Sequence, residues 1–118
     1  MTILVVDDSP TVLRVMSYYL GKEGFQVFTA SDVPQALDIL EREQIKLLIT
    51  DQSMPFVDGV TFINTLRLDP RWKDLTVIML TGGATDEVQD KSMRAGAAFV
   101  LQKPVDFNKL LALVRFAL

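Results

Sequence analysis

The sequence predicts an α/β domain, a three-layer, doubly wound, five-stranded parallel sheet with helices on both faces. Three observations carry that reading. The apolar runs Ile3-Leu4-Val5-Val6, Leu47-Leu48-Ile49 and Val77-Ile78-Met79-Leu80 are unbroken rather than alternating, as strands buried on both faces require. Stretches with apolar residues at helical spacing separate them, so that strand and helix alternate over about ten elements. The apolar runs also end in residues able to do chemistry, at the sheet edge where open α/β sheets place their ligand sites.

In chain order, Ile3–Val6 is the first strand, and Asp7-Asp8 ends it. Ser9-Pro10 reads as an N-cap followed by proline at the first helical position. Val12, Val15, Met16, Tyr19 and Leu20 recur at helical spacing, and the stretch from Gly21 to Gly24 closes that helix. Gln26 to Ala30 is a shorter, more polar strand, expected at an edge. Ser31 or Asp32 caps a second helix with Ala36, Leu37 and Leu40 on its apolar side. The central strand Leu47–Ile49 runs through Thr50 into Asp51. A third helix starts at about Gly59 with Val60, Ile63 and Leu66 inward, and Asp69-Pro70 begins a loop to Leu75. Trp72 in that loop reads as a lid over helix ends.

Val77–Leu80 is the fourth strand, closed by Thr81-Gly82-Gly83. Thr85 with Asp86 and Glu87 starts a fourth helix whose apolar stripe is thin (Val88, Met93, Ala95), so it should be weakly held. Gly96 ends it. Phe99-Val100-Leu101 is the last strand, followed by Lys103-Pro104. Asp106 caps a fifth helix with Phe107, Leu110, Leu111, Val114 and Leu118 on one side. No internal repeat, low-complexity segment or linker interrupts the pattern, and residues 1–118 are expected to form one domain.

Composition narrows the chemistry. The chain has 118 residues, an apolar fraction of 49% and a net charge of −3, which rules out disorder and argues against direct nucleic-acid binding. No apolar run is long enough for membrane insertion, and no secretory leader is expected. Cysteine is absent, which fits a cytoplasmic location. Histidine is absent too, so serine–histidine catalysis, histidine zinc sites and phosphohistidine intermediates are excluded. Carboxylates, hydroxyls and lysine remain.

A parallel sheet brings the strand ends to one edge: Asp7 and Asp8, Asp51, Thr81 and Lys103. Three carboxylates gathered there repel and need compensation. Carboxylate and carbonyl oxygens suit a hard cation, Mg²⁺ or Mn²⁺. With a lysine and a hydroxyl opposite, the set forms a cradle for a phosphoryl group. Each piece alone is weak: an acidic pair is commonly a turn, a lysine is commonly solvated, and a threonine after a strand is commonly a helix cap.

Together these residues resemble the receiver domain of two-component response regulators, the group that includes the single-domain chemotaxis regulator. The resemblance covers essentially the whole chain. It rests on Val5-Val6-Asp7-Asp8-Ser9, the stretch from Asp51 to Gly59, Thr81-Gly82, Ala95-Gly96-Ala97 and Lys103-Pro104. It implies a flavodoxin-like strand order of 2-1-3-4-5. It implies that Asp51 is the phosphoacceptor, charged by a sensor histidine kinase, a histidine phosphotransfer protein or a small-molecule donor. Asp8, Asp51 and the backbone carbonyl of Ser53 would bind the metal directly, and Asp7 mostly through water. Thr81 would swing toward the acyl phosphate, Lys103 would pair with it, and the Lys103–Pro104 bond would be cis. The domain would be a signalling switch, not an enzyme turning over external substrates.

The sequence departs from the family where an aromatic switch residue usually stands three places before the lysine. That position is Val100, and Phe99 lies on the opposite strand face. Either Val100 still packs inward with less volume, or the output differs from the rotating-aromatic scheme. On the fifth helix, Leu113 and Phe116 fall outside the apolar stripe. They suggest either a patch for phosphorylation-dependent homodimerisation or a contact with sequence beyond Leu118. Of the rival classes, an aspartyl-phosphate phosphatase needs a second acid two residues after its nucleophile, and that place is Ser53. A flavin-binding module of similar topology would want a hydroxyl- and glycine-rich phosphate loop after the first strand, and Asp7-Asp8 would repel the flavin phosphate. A receiver that has lost its chemistry is disfavoured by the intact site positions.

Overall fold

A computed structural model describes residues 1–83 and 85–117. Strands and helices alternate: β1 (Thr2–Val6), α1 (Pro10–Lys22), β2 (Gln26–Ala30), α2 (Val33–Arg42), β3 (Leu47–Asp51), α3 (Gly59–Arg67), β4 (Thr76–Thr81), α4 (Asp86–Ala95), β5 (Phe99–Gln102) and α5 (Phe107–Ala117). All pairings are parallel, in the order β2-β1-β3-β4-β5, so β2 and β5 are the edges. A parallel pair needs a long crossover, and here each crossover is a helix laid over one face.

Period-two alternation divides the core. Leu4, Val6, Leu48, Val77 and Met79 point to one face, where they meet Ala36, Ile39 and Leu40 of α2, Phe62, Ile63 and Leu66 of α3, and Ala95 of α4. Ile3, Val5, Leu47, Ile49, Ile78 and Leu80 point to the other, against Met16 and Leu20 of α1 and Leu110 and Val114 of α5. Burying a large apolar side chain contributes about 1.5–3 kcal/mol, so these two layers dominate the stability. Side chains start the helices. Ser9, Asp32, Asp58 and Thr85 accept from the N–H of Val12, Gln35, Thr61 and Val88, and Asp106 accepts from Asn108 and Lys109.

Several sequence expectations are revised. Val15 faces solvent, because it lies about 100° around α1 from Met16, at the margin of the stripe. Phe62, absent from the expected stripe of α3, is among its fully buried residues and the bulkiest of them in the domain. On α4, Met93 is exposed and Ser92 is buried in its place, its hydroxyl donating to the Val88 carbonyl at 2.7 Å. Leu113 is half-buried against the α1–α5 layer, since three residues beyond Leu110 still lies on the flank of that stripe. Leu118 lies outside the described residues.

Trp72 packs half-buried against the α2–α3 layer, with the Arg71 guanidinium 4.1 Å over its ring. The thin stripe of α4 buries only Ser92 and Ala95, and Arg67 secures its C-terminus. The guanidinium donates to the carbonyls of Trp72 and Gly96 at 2.9 and 2.8 Å. Gly96 ends α4 at φ 108°, and a Cβ there would stand 2.8 Å from Arg67 Nε. No helix among the described residues is long and apolar enough to cross a membrane.

Candidate functional site

The sheet register assembles the site. Val6 is level with Thr50, Asp51 with Leu80, and Thr81 with Gln102, so the residues ending β1, β3, β4 and β5 stand side by side. Backbone bonds just beyond the strands hold that alignment: Gln52 N–H donates to the Leu80 carbonyl at 2.8 Å and Lys103 N–H to the Thr81 carbonyl at 2.7 Å.

Asp7 is fully buried and Asp51 nearly so, while Asp8 is exposed. One carboxylate oxygen from each of the three lies within 4.8 Å of the others. Lys103 joins the cluster, its Nζ 2.8 Å from Asp7 Oδ2 and 3.2 Å from Asp51 Oδ2. Asp7 Oδ1 also accepts from Ser9 N–H, and Asp51 Oδ1 accepts from Ser53 N–H at 3.3 Å. Burial, followed by the charge of Asp7, raises the Asp51 pKa even though Lys103 opposes the shift. Burial works against the Lys103 ammonium, but the Asp7 hydrogen bond and both carboxylate charges outweigh it, and its pKa is raised. The cluster thus keeps its cation and strains its central acid.

Three carboxylates around one point, with only oxygen donors, fit a hard divalent cation and not a soft one. Thr81 is buried, and its hydroxyl both donates to the Gly83 carbonyl (3.3 Å) and accepts from Gly83 N–H (3.2 Å). The Lys103–Pro104 peptide is cis. Val100 packs on the α3–α4 side of the sheet and Phe99 on the α1–α5 side, so neither enters the acidic cluster. Phe116 is 81% exposed, and its ring meets that of Phe99 edge-on at 5.9 Å.

Three residues between β3 and the start of α3 have structural roles that the sequence pattern did not assign. Gln52 closes the loop twice: its carbonyl accepts from Gly59 N–H and its Oε1 from Val60 N–H, both at 2.9 Å. Gly59 sits so close to β3 and β4 that a Cβ would be 2.6 Å from the Asp51 carbonyl oxygen and 2.8 Å from Met79 Sδ. Phe56 adopts φ 71°. These are properties of packing and backbone, invisible in residue spacing.

The family model described as the response regulator receiver domain matches residues 3–115. An uncharacterized 14.6 kDa protein from the sodA1 3′ region of Leptolyngbya boryana is 40% identical over 115 residues, covering 98% of this chain and 88% of that protein. The response regulator PleD of Caulobacter vibrioides is 36% identical over 115 residues, covering 96% of this chain, which spans 25% of that protein's length. Among solved structures, the chemotaxis protein CheY4 of Vibrio cholerae superposes with a TM-score of 0.94 at 29% identity, covering 99% of this chain and 98% of that one.

Proposed function

Because the chain belongs to the receiver domain family of response regulators, the phosphoacceptor signalling switches of two-component systems, we propose that Asp51 is its phosphoacceptor. The observation that supports this most is the convergence of Lys103 with Asp7 and Asp51 at the sheet edge, with Asp8 alongside.

In this reading Asp8, Asp51 and the Ser53 carbonyl would hold Mg²⁺ or Mn²⁺, with Asp7 contributing mostly through water. When bound, the cation neutralises the carboxylates and the phosphoryl oxygens. An Asp51 carboxylate oxygen attacks the phosphorus of a phosphohistidine, the P–N bond breaks, and the electron pair leaves with the imidazole, which takes up a proton. Lys103 pairs with the resulting acyl phosphate. Thr81 gives up its contacts with Gly83 and donates its hydroxyl to a phosphoryl oxygen. Hydrolysis returns Asp51 to its carboxylate, so the domain turns over its own phosphate and no external substrate.

The donor is a sensor histidine kinase or a histidine phosphotransfer protein, and the setting is cytoplasmic. An apolar groove of about 230 Å³ beside Lys103, lined by Val12, Val15, Pro104 and Phe107, is large enough to take apolar side chains of such a donor. The output face runs along α4, β5 and α5, where Met93 and Phe116 are exposed, and phosphorylation strengthens self-association there.

Intact-mass spectrometry after incubation with Mg²⁺ and acetyl phosphate tests the assignment. The wild type gains about 80 Da and Asp51→Asn gains nothing. Equal labelling of both removes it.

A further inference from the structure

Among the described residues, Phe56 is the one non-glycine in the left-handed region, at φ 71°. An aromatic side chain brings no local hydrogen bond that favours this conformation, as asparagine or aspartate does. The turn itself has a purpose. Met54 and Val57 both pack against the α2–α3 layer, and the reversal between them, with Val57 N–H donating to the Pro55 carbonyl at 2.8 Å, throws Phe56 outward. The residue is fully exposed, at 105%. The backbone there suits glycine or asparagine, and the ring adds no packing in return.

Its position supplies a reason for a ring. Asp51, only 4% exposed, forms the floor of the site, and Phe56 stands on the loop that leaves it. Gln52 and Gly59 fix both ends of that loop, so the ring is presented on a stiff support. A small acyl phosphate reaches Asp51 without covering the rim. A folded domain delivering phosphohistidine must press against the rim loops to bring its phosphorus within bonding distance. Backbone strain of this kind clusters at active sites and ligand clamps, where it is part of the mechanism.

We propose that Phe56 is a specificity-determining contact for the protein phosphodonor, docking on the apolar flank of the helix that carries its phosphohistidine. The inference rests on the phosphoacceptor reading of Asp51.

The test compares acetyl phosphate with a histidine phosphotransfer domain, charged with phosphate and chosen because it phosphorylates the wild type. The variants are Phe56→Gly and Phe56→Asn, which keep the turn, and Phe56→Leu, which keeps apolar bulk. For Gly and Asn the melting temperature stays level or rises, and labelling by acetyl phosphate is unchanged. Transfer from the protein donor falls about tenfold or more, mainly through KM, as for loss of a buried interface aromatic. Leu retains most of the rate. Undiminished transfer to the Gly variant, a lowered melting temperature, or a Leu variant no better than Gly each overturns the proposal. Wild type labelled by both donors at a residue other than Asp51 overturns the phosphoacceptor reading instead.

Discussion

Lys103 Nζ sits 2.8 Å from Oδ2 of the fully buried Asp7, and this contact spans the sheet from the end of β5 to the end of β1. The same ammonium lies 3.2 Å from Asp51, so one cation restrains two carboxylates. Lys103→Met leaves both without it. Removing one partner of a buried pair costs about 3–5 kcal/mol, and the partial exposure of Lys103 puts the loss nearer about 2–3 kcal/mol. Urea denaturation in chelator should show that loss, and Mg²⁺ should narrow the gap. A chelated variant as stable as wild type would mean the ammonium holds nothing together.

Metal binding to the clustered acids should stabilise the fold by mass action, by about 2.7 kcal/mol at a hundredfold excess over the dissociation constant. Asp8→Asn should largely lose this response in a thermal melt. Retention of the full Mg²⁺ effect would take Asp8 out of the ligand set.

The raised pKa of Asp51, caused first by burial and then by Asp7, has a definite pH signature in metal-free protein. A carboxyl with a folded pKa above its unfolded value favours the fold while protonated. That stability is complete below the unfolded carboxyl value of about 3.9 and is lost as pH rises through the raised folded value. Asp51→Asn has no such loss. The difference in stability, mutant minus wild type, should therefore grow with pH across the acid range and then level off. A difference that is flat with pH, or that shrinks, contradicts the shift.

Gly59→Ala tests the close approach of α3 to the site. Its Cβ would lie 2.6 Å from the Asp51 carbonyl oxygen, which is backbone and cannot swing away. A destabilisation of about 1–3 kcal/mol or more is expected, with slower acetyl-phosphate labelling. Gly21→Ala is the control, because nothing lies within 4 Å of a Cβ there, and it should stabilise α1 by about 0.5–1 kcal/mol. Equal effects from the two substitutions would refute the steric argument.

Phe116, largely exposed yet edge-on to Phe99, should contribute to self-association of the phosphorylated domain. Sedimentation with Mg²⁺ and beryllofluoride as the phosphoryl mimic should reveal a dimer that Phe116→Ser weakens about tenfold, or 1.4 kcal/mol. A mimic-independent monomer leaves the residue as ordinary surface.

The order of elements, the parallel sheet and the gathering of Asp7, Asp8, Asp51, Thr81 and Lys103 at one edge were legible in the sequence. Local chemistry fixes them: unbroken apolar runs, capping side chains and a topology in which every strand points the same way. Side-chain depth at the stripe margins was not legible. Ser92 is buried with its hydroxyl donating to the Val88 carbonyl, and Val15, at the margin of the α1 stripe, is exposed. Only the tertiary structure decided that Lys103 bridges two acids, that Arg67 holds Gly96, that α3 leaves no room for a Cβ at Gly59, and that Phe56 is turned outward. Such features depend on distances between residues far apart in sequence, or on a backbone angle set by what packs on either side. Residue spacing along the chain encodes neither.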